Sequence, residues 1–106
     1  MVNIDNGKVN VSKLTNPGQA DKYFRVDRMS IFGNPFPAIN ERDRNGACDL
    51  YEEYFHKKVT EDYIFRNTLY SIIGHVREGL NVNLMCHCAP KRCHAETIKR
   101  YIEGKL

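Results

Sequence analysis

The sequence predicts an α/β fold, a small mixed sheet with helices packed on it, in a single domain covering residues 1–106. Three observations carry this expectation. Apolar residues alternate in Lys8–Leu14 (KVNVSKL), as in a half-buried strand. From Ala47 to Val76 they recur at helical spacing instead. The chain then runs through an apolar stretch, Val82–Cys86 (VNLMC), a proline turn and another helical segment, and such late strand–loop–helix units favour helices lying on a sheet.

Taken in order, Val9 and Val11 share one side of the first strand, and Asn16-Pro17-Gly18 is a turn signal. Tyr23–Asp27 (YFRVD) is aromatic and β-branched and reads as a second strand. Phe32-Gly33-Asn34-Pro35-Phe36-Pro37 cannot be regular, because each proline removes a donor and restricts the residue before it. A first helix is expected from Arg44 or Asn45 to about Lys57, with Ala47, Leu50, Tyr51, Tyr54 and Phe55 on its apolar side. Thr60 is the expected cap of a second helix, whose buried stripe would be Ile64, Thr68, Leu69, Ile72, Ile73 and Val76, with Gly79 as its stop. A third strand at Val82–Cys86 and a third helix from about Cys93 to Ile102 complete the chain. In open sheets of this kind ligands sit past the C-terminal ends of the strands, where both irregular loops would fall.

Composition narrows the function classes. The 106 residues are 42% hydrophobic, enough for one modest core and too apolar for a disordered chain. Sixteen Lys and Arg against 13 acids give a net charge of +3, which permits an anionic ligand without demanding one. The basic residues are scattered rather than drawn into a stripe, the densest group being Lys91, Arg92, Lys99, Arg100 and Lys105. No run reaches the ~18 apolar residues of a membrane span. Four cysteines without an export signal are expected as reduced thiols, and the expected compartment is the cytoplasm of a cell or of an infected host.

The densest chemistry is Cys86-His87-Cys88-Ala89-Pro90-Lys91-Arg92-Cys93-His94-Ala95-Glu96. Zinc is the obvious test. A tetrahedral site holds its sulfurs about 3.8 Å apart, given Zn–S bonds of about 2.3 Å. Cys86 and Cys88 on an extended chain would have Cα atoms about 6.7 Å apart, and Cys93 and His94 would diverge by roughly 100° on a helix. The spacing therefore argues against a structural zinc. If one is bound, its ligands would be Cys86, Cys88, Cys93 and His94, and otherwise no cofactor is expected.

A second reading makes the loop a helix start facing a pocket. Free N–H groups around His94–Glu96 would favour an anion, with Lys91 and Arg92 beside them. The same field would lower the pKa of the Cys93 thiol. Glu96 is either a carboxylate reaching back to cap the helix, with Cys93 as N-cap, or one aimed at a ligand. In the other loop, Arg28 has the geometry to fork onto a phosphate or carboxylate, Asn34 both donates and accepts, and Phe36 offers an aromatic face. Its alternative is a rigid turn with Phe36 in the core and Arg28 on the surface.

These segments together resemble the phage- and bacteria-associated domain-of-unknown-function family numbered 4326, whose members pair an Arg and a Gly-Asn-Pro-Phe motif with Leu-x-Cys-Trp-Cys-x-Pro-x-x-Cys-His. This chain supplies Arg28, Gly33-Asn34-Pro35-Phe36, a helix with Tyr51, and Leu84 through His94, so the resemblance spans about residues 9–103. His87 stands where Trp is usual, and Asp27 where Gly is usual. The resemblance implies that Arg28, Asn34, Cys88, Cys93 and His94 belong to one site. It implies no reaction.

The leading expectation is a pocket for a nucleotide-like or phosphate-bearing ligand, lined by Arg28, Asn34, Phe36, Cys88, Lys91 and Arg92. If it is catalytic, Cys93 or Cys88 would be the nucleophile and His94 the acid or base, with Glu96 a further candidate. The competing expectations are a non-catalytic phage accessory module that binds a host protein or nucleic acid through the basic C-terminal helix, and a zinc-supported structural module.

Overall fold

The apolar run Val82–Cys86 becomes the middle strand of a three-stranded sheet. The computed structural model describes residues 5–27, 29–36, 41–86 and 94–106, with side chains omitted for 41–44. Its elements are β1 (Val9–Lys13), β2 (Lys22–Arg25), α1 (Glu41–Glu61), α2 (Tyr63–Arg77), β3 (Val82–Cys86) and α3 (Ala95–Gly104). This is the expected α/β order.

The sheet is not mixed, as the sequence suggested, but parallel in both described pairings, with strand order β1-β3-β2. Strand direction is fixed by how each connection crosses the sheet, and local alternation carries no record of that. Residues 14–21 join two parallel strands that flank a third, so this short segment must pass over β3. It does so across Asn83, whose side-chain amide donates to the Pro17 carbonyl. Gly18 turns the segment with φ 71°, a backbone geometry that favours glycine. Because the strands are parallel, their C-terminal ends, and the loops leaving them, share one edge of the sheet.

Register sorts the faces. Val11, Leu84 and Phe24 lie side by side and pack on the core. Val82, Leu84 and Cys86 point to the helices and are almost fully buried. Above them α3 lies against β1 and β3, α2 lies against β3, and α1 packs on α2 and α3. Phe55 of α1 joins the helices, with ring centroids 5.5 Å from Phe65 of α2 and 5.3 Å from Tyr101 of α3.

Several local readings shift. α1 begins at Glu41 and continues to Glu61, so Thr60 lies inside it, with its hydroxyl donating to the His56 carbonyl at 3.0 Å. The cap of α2 is Asp62, which accepts from the Ile64 and Phe65 amides at 3.1 and 3.2 Å. Phe65, not Ile64, starts the buried stripe, and Leu50 of α1 also faces solvent. α2 ends as expected, with Gly79 at φ 91° just past Glu78.

The far edge of the sheet is pinned by Asn81. Its side chain accepts from the Lys8 amide at 2.9 Å, and its backbone carbonyl accepts from Asp21 and Lys22. Gly7 donates to the Val76 carbonyl at 2.7 Å and lies so close to Leu80 that a Cβ there would meet the Leu80 carbonyl oxygen at 1.8 Å.

Candidate ligand site

The two irregular loops leave the same edge of the sheet, one after β2 and one after β3. Their described ends touch. His94, buried at the start of α3, sets its Nε2 against the Val26 carbonyl just past β2. A ring nitrogen facing a carbonyl must carry the proton, so this is Nε2–H donating. The His94 ring also meets the edge of Tyr51, with centroids 4.9 Å apart.

Tyr51 extends the connection. Its ring is fully buried in the core, and its hydroxyl donates to the Phe32 carbonyl at 2.7 Å. One α1 side chain thus holds both the loop after β2 and the helix after β3. The sequence placed Tyr51 on an apolar stripe and on the helix that enters the family resemblance, with no role at the site. A buried tyrosine hydroxyl needs a partner, and that was the signal available.

The loop from Asp27 to Phe36 is braced by its own hydrogen bonds. The Ser30 amide and hydroxyl both donate to the Asp27 carbonyl, at 3.0 and 2.9 Å, and the Gly33 amide donates to the Ser30 carbonyl at 3.1 Å. Asn34 locks the next turn. Its Oδ1 accepts from the Phe36 amide at 2.9 Å, and its Nδ2 donates to the Ala47 carbonyl of α1 at 3.2 Å. Phe36 is half-buried, edge-on to Tyr54 at 6.0 Å. Asn34 and Phe36 therefore fasten the loop to α1, and each keeps only part of its surface for a ligand. Gly33 is not among the positive-φ glycines, so the turn needs no left-handed residue there.

Asp27 is a buried carboxylate, its side chain 5% exposed, and accepts from Arg25 Nε at 2.7 Å. A charge taken out of water needs such a partner. The next residue in the chain is Arg28. Arg28, Cys88, Lys91, Arg92 and Cys93 lie outside the described residues.

On the other loop, Cys86 ends β3 at 1% exposure, on the same side as Val82 and Leu84 and among the core residues. α3 begins at Ala95 with His94 as N-cap, one residue later than Cys93, and the His94 ring makes no capping bond. Its first turn closes with the Thr97 amide on the His94 carbonyl at 3.1 Å, and Glu96 is exposed. Among the described residues no group of three or more His, Cys, Asp or Glu is placed to hold a metal ion. The basic residues of α3 diverge, Lys99 lying beside Lys8–Asn10 and Arg100 lying 4.0 Å from Glu52 of α1.

A family described as a domain of unknown function, DUF4326, matches residues 9–104. The chain belongs to that family. The match takes in both loops and every element that positions them, so the site just described lies wholly within the DUF4326 unit. No curated protein and no solved structure matches the chain. No helix among the described residues is long and apolar enough to cross a membrane.

Proposed function

We propose that this DUF4326 domain binds a small anionic ligand, nucleotide-like or phosphate-bearing, between the loop after β2 and the loop before α3. One observation supports it above the rest: His94 at the head of α3 is held against the Val26 carbonyl, two residues before Arg28. That contact brings the positive end of a helix to the C-terminal edge of a parallel sheet, the usual place for a ligand in such folds. Arg28 on one loop and Lys91 and Arg92 on the other would supply the charge. Asn34, Phe36 and Cys88 would complete the lining, and the setting is the cytoplasmic, phage- or bacteria-associated one that the sequence suggests.

Catalysis by Cys93 belongs to the proposal as an option that the same pocket would serve. The geometry does not favour His94 as its acid or base, because Nε2 already donates to Val26 and the ring is buried against Tyr51. His94 is better suited to positioning the helix start. Zinc on Cys86, Cys88, Cys93 and His94 is disfavoured for related reasons, since Cys86 faces the core and His94 Nε2 is engaged.

A thermal-shift screen against nucleotides and sugar phosphates tests the proposal. At least one compound should raise the melting temperature, and Arg28→Ala should abolish the rise while leaving the unliganded melting temperature unchanged. A flat response across the panel in the wild-type chain contradicts the proposal.

A further inference from the structure

Next to the candidate site, on the loop after β2 and at the start of α2, large apolar side chains stand in water. Ile31 is 49% exposed, Tyr63 65% and Ile64 57%, while Met29 reaches 79%. Two of them, Ile31 and Tyr63, wall clefts. Ile31 and Pro35 line a cleft of about 330 Å³ with Ser30, Gly33, Asn34 and Tyr54. Tyr54 also walls a second cleft, about 500 Å³, shared with Lys57, Lys58, Glu61, Asp62 and Tyr63. Tyr54 is thus a wall common to both clefts, one at the loop after β2 and one at the α1–α2 junction. Exposed apolar side chains gathered at clefts mark an interaction face more often than single exposed residues do.

Two features identify the occupant. The first is shape. The turn from Asp27 to Gly33 is held by its own hydrogen bonds, so Met29 and Ile31 project from a braced turn, with Ile31 at the cleft that shares Tyr54 with the recess. A two-fold interface needs a knob and a recess on the same patch, because each copy offers both. The second is charge. The recess carries Lys57 and Lys58 with Glu61 and Asp62. Lys58 and Asp62 already pair within the chain at 3.3 Å, which leaves Lys57 and Glu61 with no ion-pair partner among the described residues. A patch with one spare cation and one spare anion suits neither a nucleic acid nor an anionic membrane. It complements a rotated copy of itself.

We infer that this face is a homodimer interface, with the Met29–Ile31 knob of one protomer in the Tyr54–Tyr63 recess of its partner and Lys57 of each facing Glu61 of the other. Sedimentation equilibrium over a wide concentration range tests it. The wild-type chain should show a monomer–dimer equilibrium. Ile31→Asp and Tyr63→Asp, both at exposed positions, should each weaken dimerisation by at least about tenfold, the loss typical of an interface anchor, with unchanged circular dichroism. Lys57→Glu and Glu61→Lys should each weaken it, and the double variant should regain the wild-type constant, since only a self-facing pair is repaired by exchanging both charges. A chain that stays monomeric throughout overturns the inference. So does a dimer insensitive to Ile31→Asp and Tyr63→Asp, or a double variant as weak as the singles. Because the knob shares its loop with Arg28 and Asn34, the ligand proposal is judged separately, by the loss of the phosphate-ligand response in Arg28→Ala.

Discussion

Tyr51 touches both described halves of the candidate site. Its hydroxyl holds the Phe32 carbonyl and its ring meets His94, so α1 ties the loop after β2 to the start of α3. Tyr51→Phe keeps the ring and removes only the hydrogen bond. It should cost about 1 kcal/mol in urea denaturation, the usual net value of one such bond, with the Phe32 carbonyl left to find another donor. His94→Ala should cost more, about 1–3 kcal/mol, because it leaves the Val26 carbonyl unsatisfied and opens a gap beside Tyr51.

At the same scale, Asp62 gives a pH-dependent signal. Hydrogen bonds from the Phe65 and Ile64 amides and the nearby Lys58 ammonium hold its carboxyl below the ordinary aspartate value, the Phe65 bond contributing most. A depressed folded-state pKa means that the unfolded chain binds the proton first as pH falls. The stabilisation is therefore present above the unfolded value and is lost as pH drops through the folded one. Asn caps almost as well but carries no charge. Asp62→Asn should therefore lower the melting temperature at neutral pH, and the difference from wild type should close in acid. A gap that stays constant with pH would contradict this account.

At the scale of elements, β1 is positioned by contacts at its start. Gly7 sits where any side chain would collide with the Leu80 carbonyl, a backbone atom that cannot swing aside. Gly7→Ala must push β1 away from the α2–β3 turn and should cost about 1–3 kcal/mol, as overpacking does elsewhere, read as a lower denaturation midpoint.

Which elements exist was legible in the sequence, because alternation and helical spacing are local. What the elements do to each other was less so. Ile64 and Phe65 are adjacent and apolar, and spacing alone does not choose between them. The choice is made by Phe32 from a distant loop, whose ring meets Phe65 at 4.9 Å. Thr60 and Asp62 are both good caps, and Asp62 prevails because α1 runs on through Thr60. Strand direction was hidden for the same reason, being set by where residues 14–21 cross the sheet. The candidate site follows this pattern. Its Cys/His and Asn-Pro residues stood out by composition, whereas the Val26 carbonyl carries no motif and the Tyr51 hydroxyl had no partner that spacing could name.

At the scale of the whole molecule, a parallel sheet with helices on one face gathers three strand ends at a single edge. The two motif-bearing loops, far apart in the chain, leave from that edge and are joined by His94 and Tyr51. The basic helix α3 does not present a comparable surface, since Lys99 and Arg100 look toward different elements. Charge reversal at these two positions should therefore leave any ligand affinity within about twofold of wild type, the small effect expected of exposed charges away from a site.

Amide-resolved NMR titration with nucleoside and sugar phosphates examines the shared site most directly. The account predicts saturable shifts at both loops together, at Val26–Asn34 and at His94–Glu96, and their loss in Arg28→Ala. Shifts confined to one loop, or clustered on another face of the molecule, would contradict it.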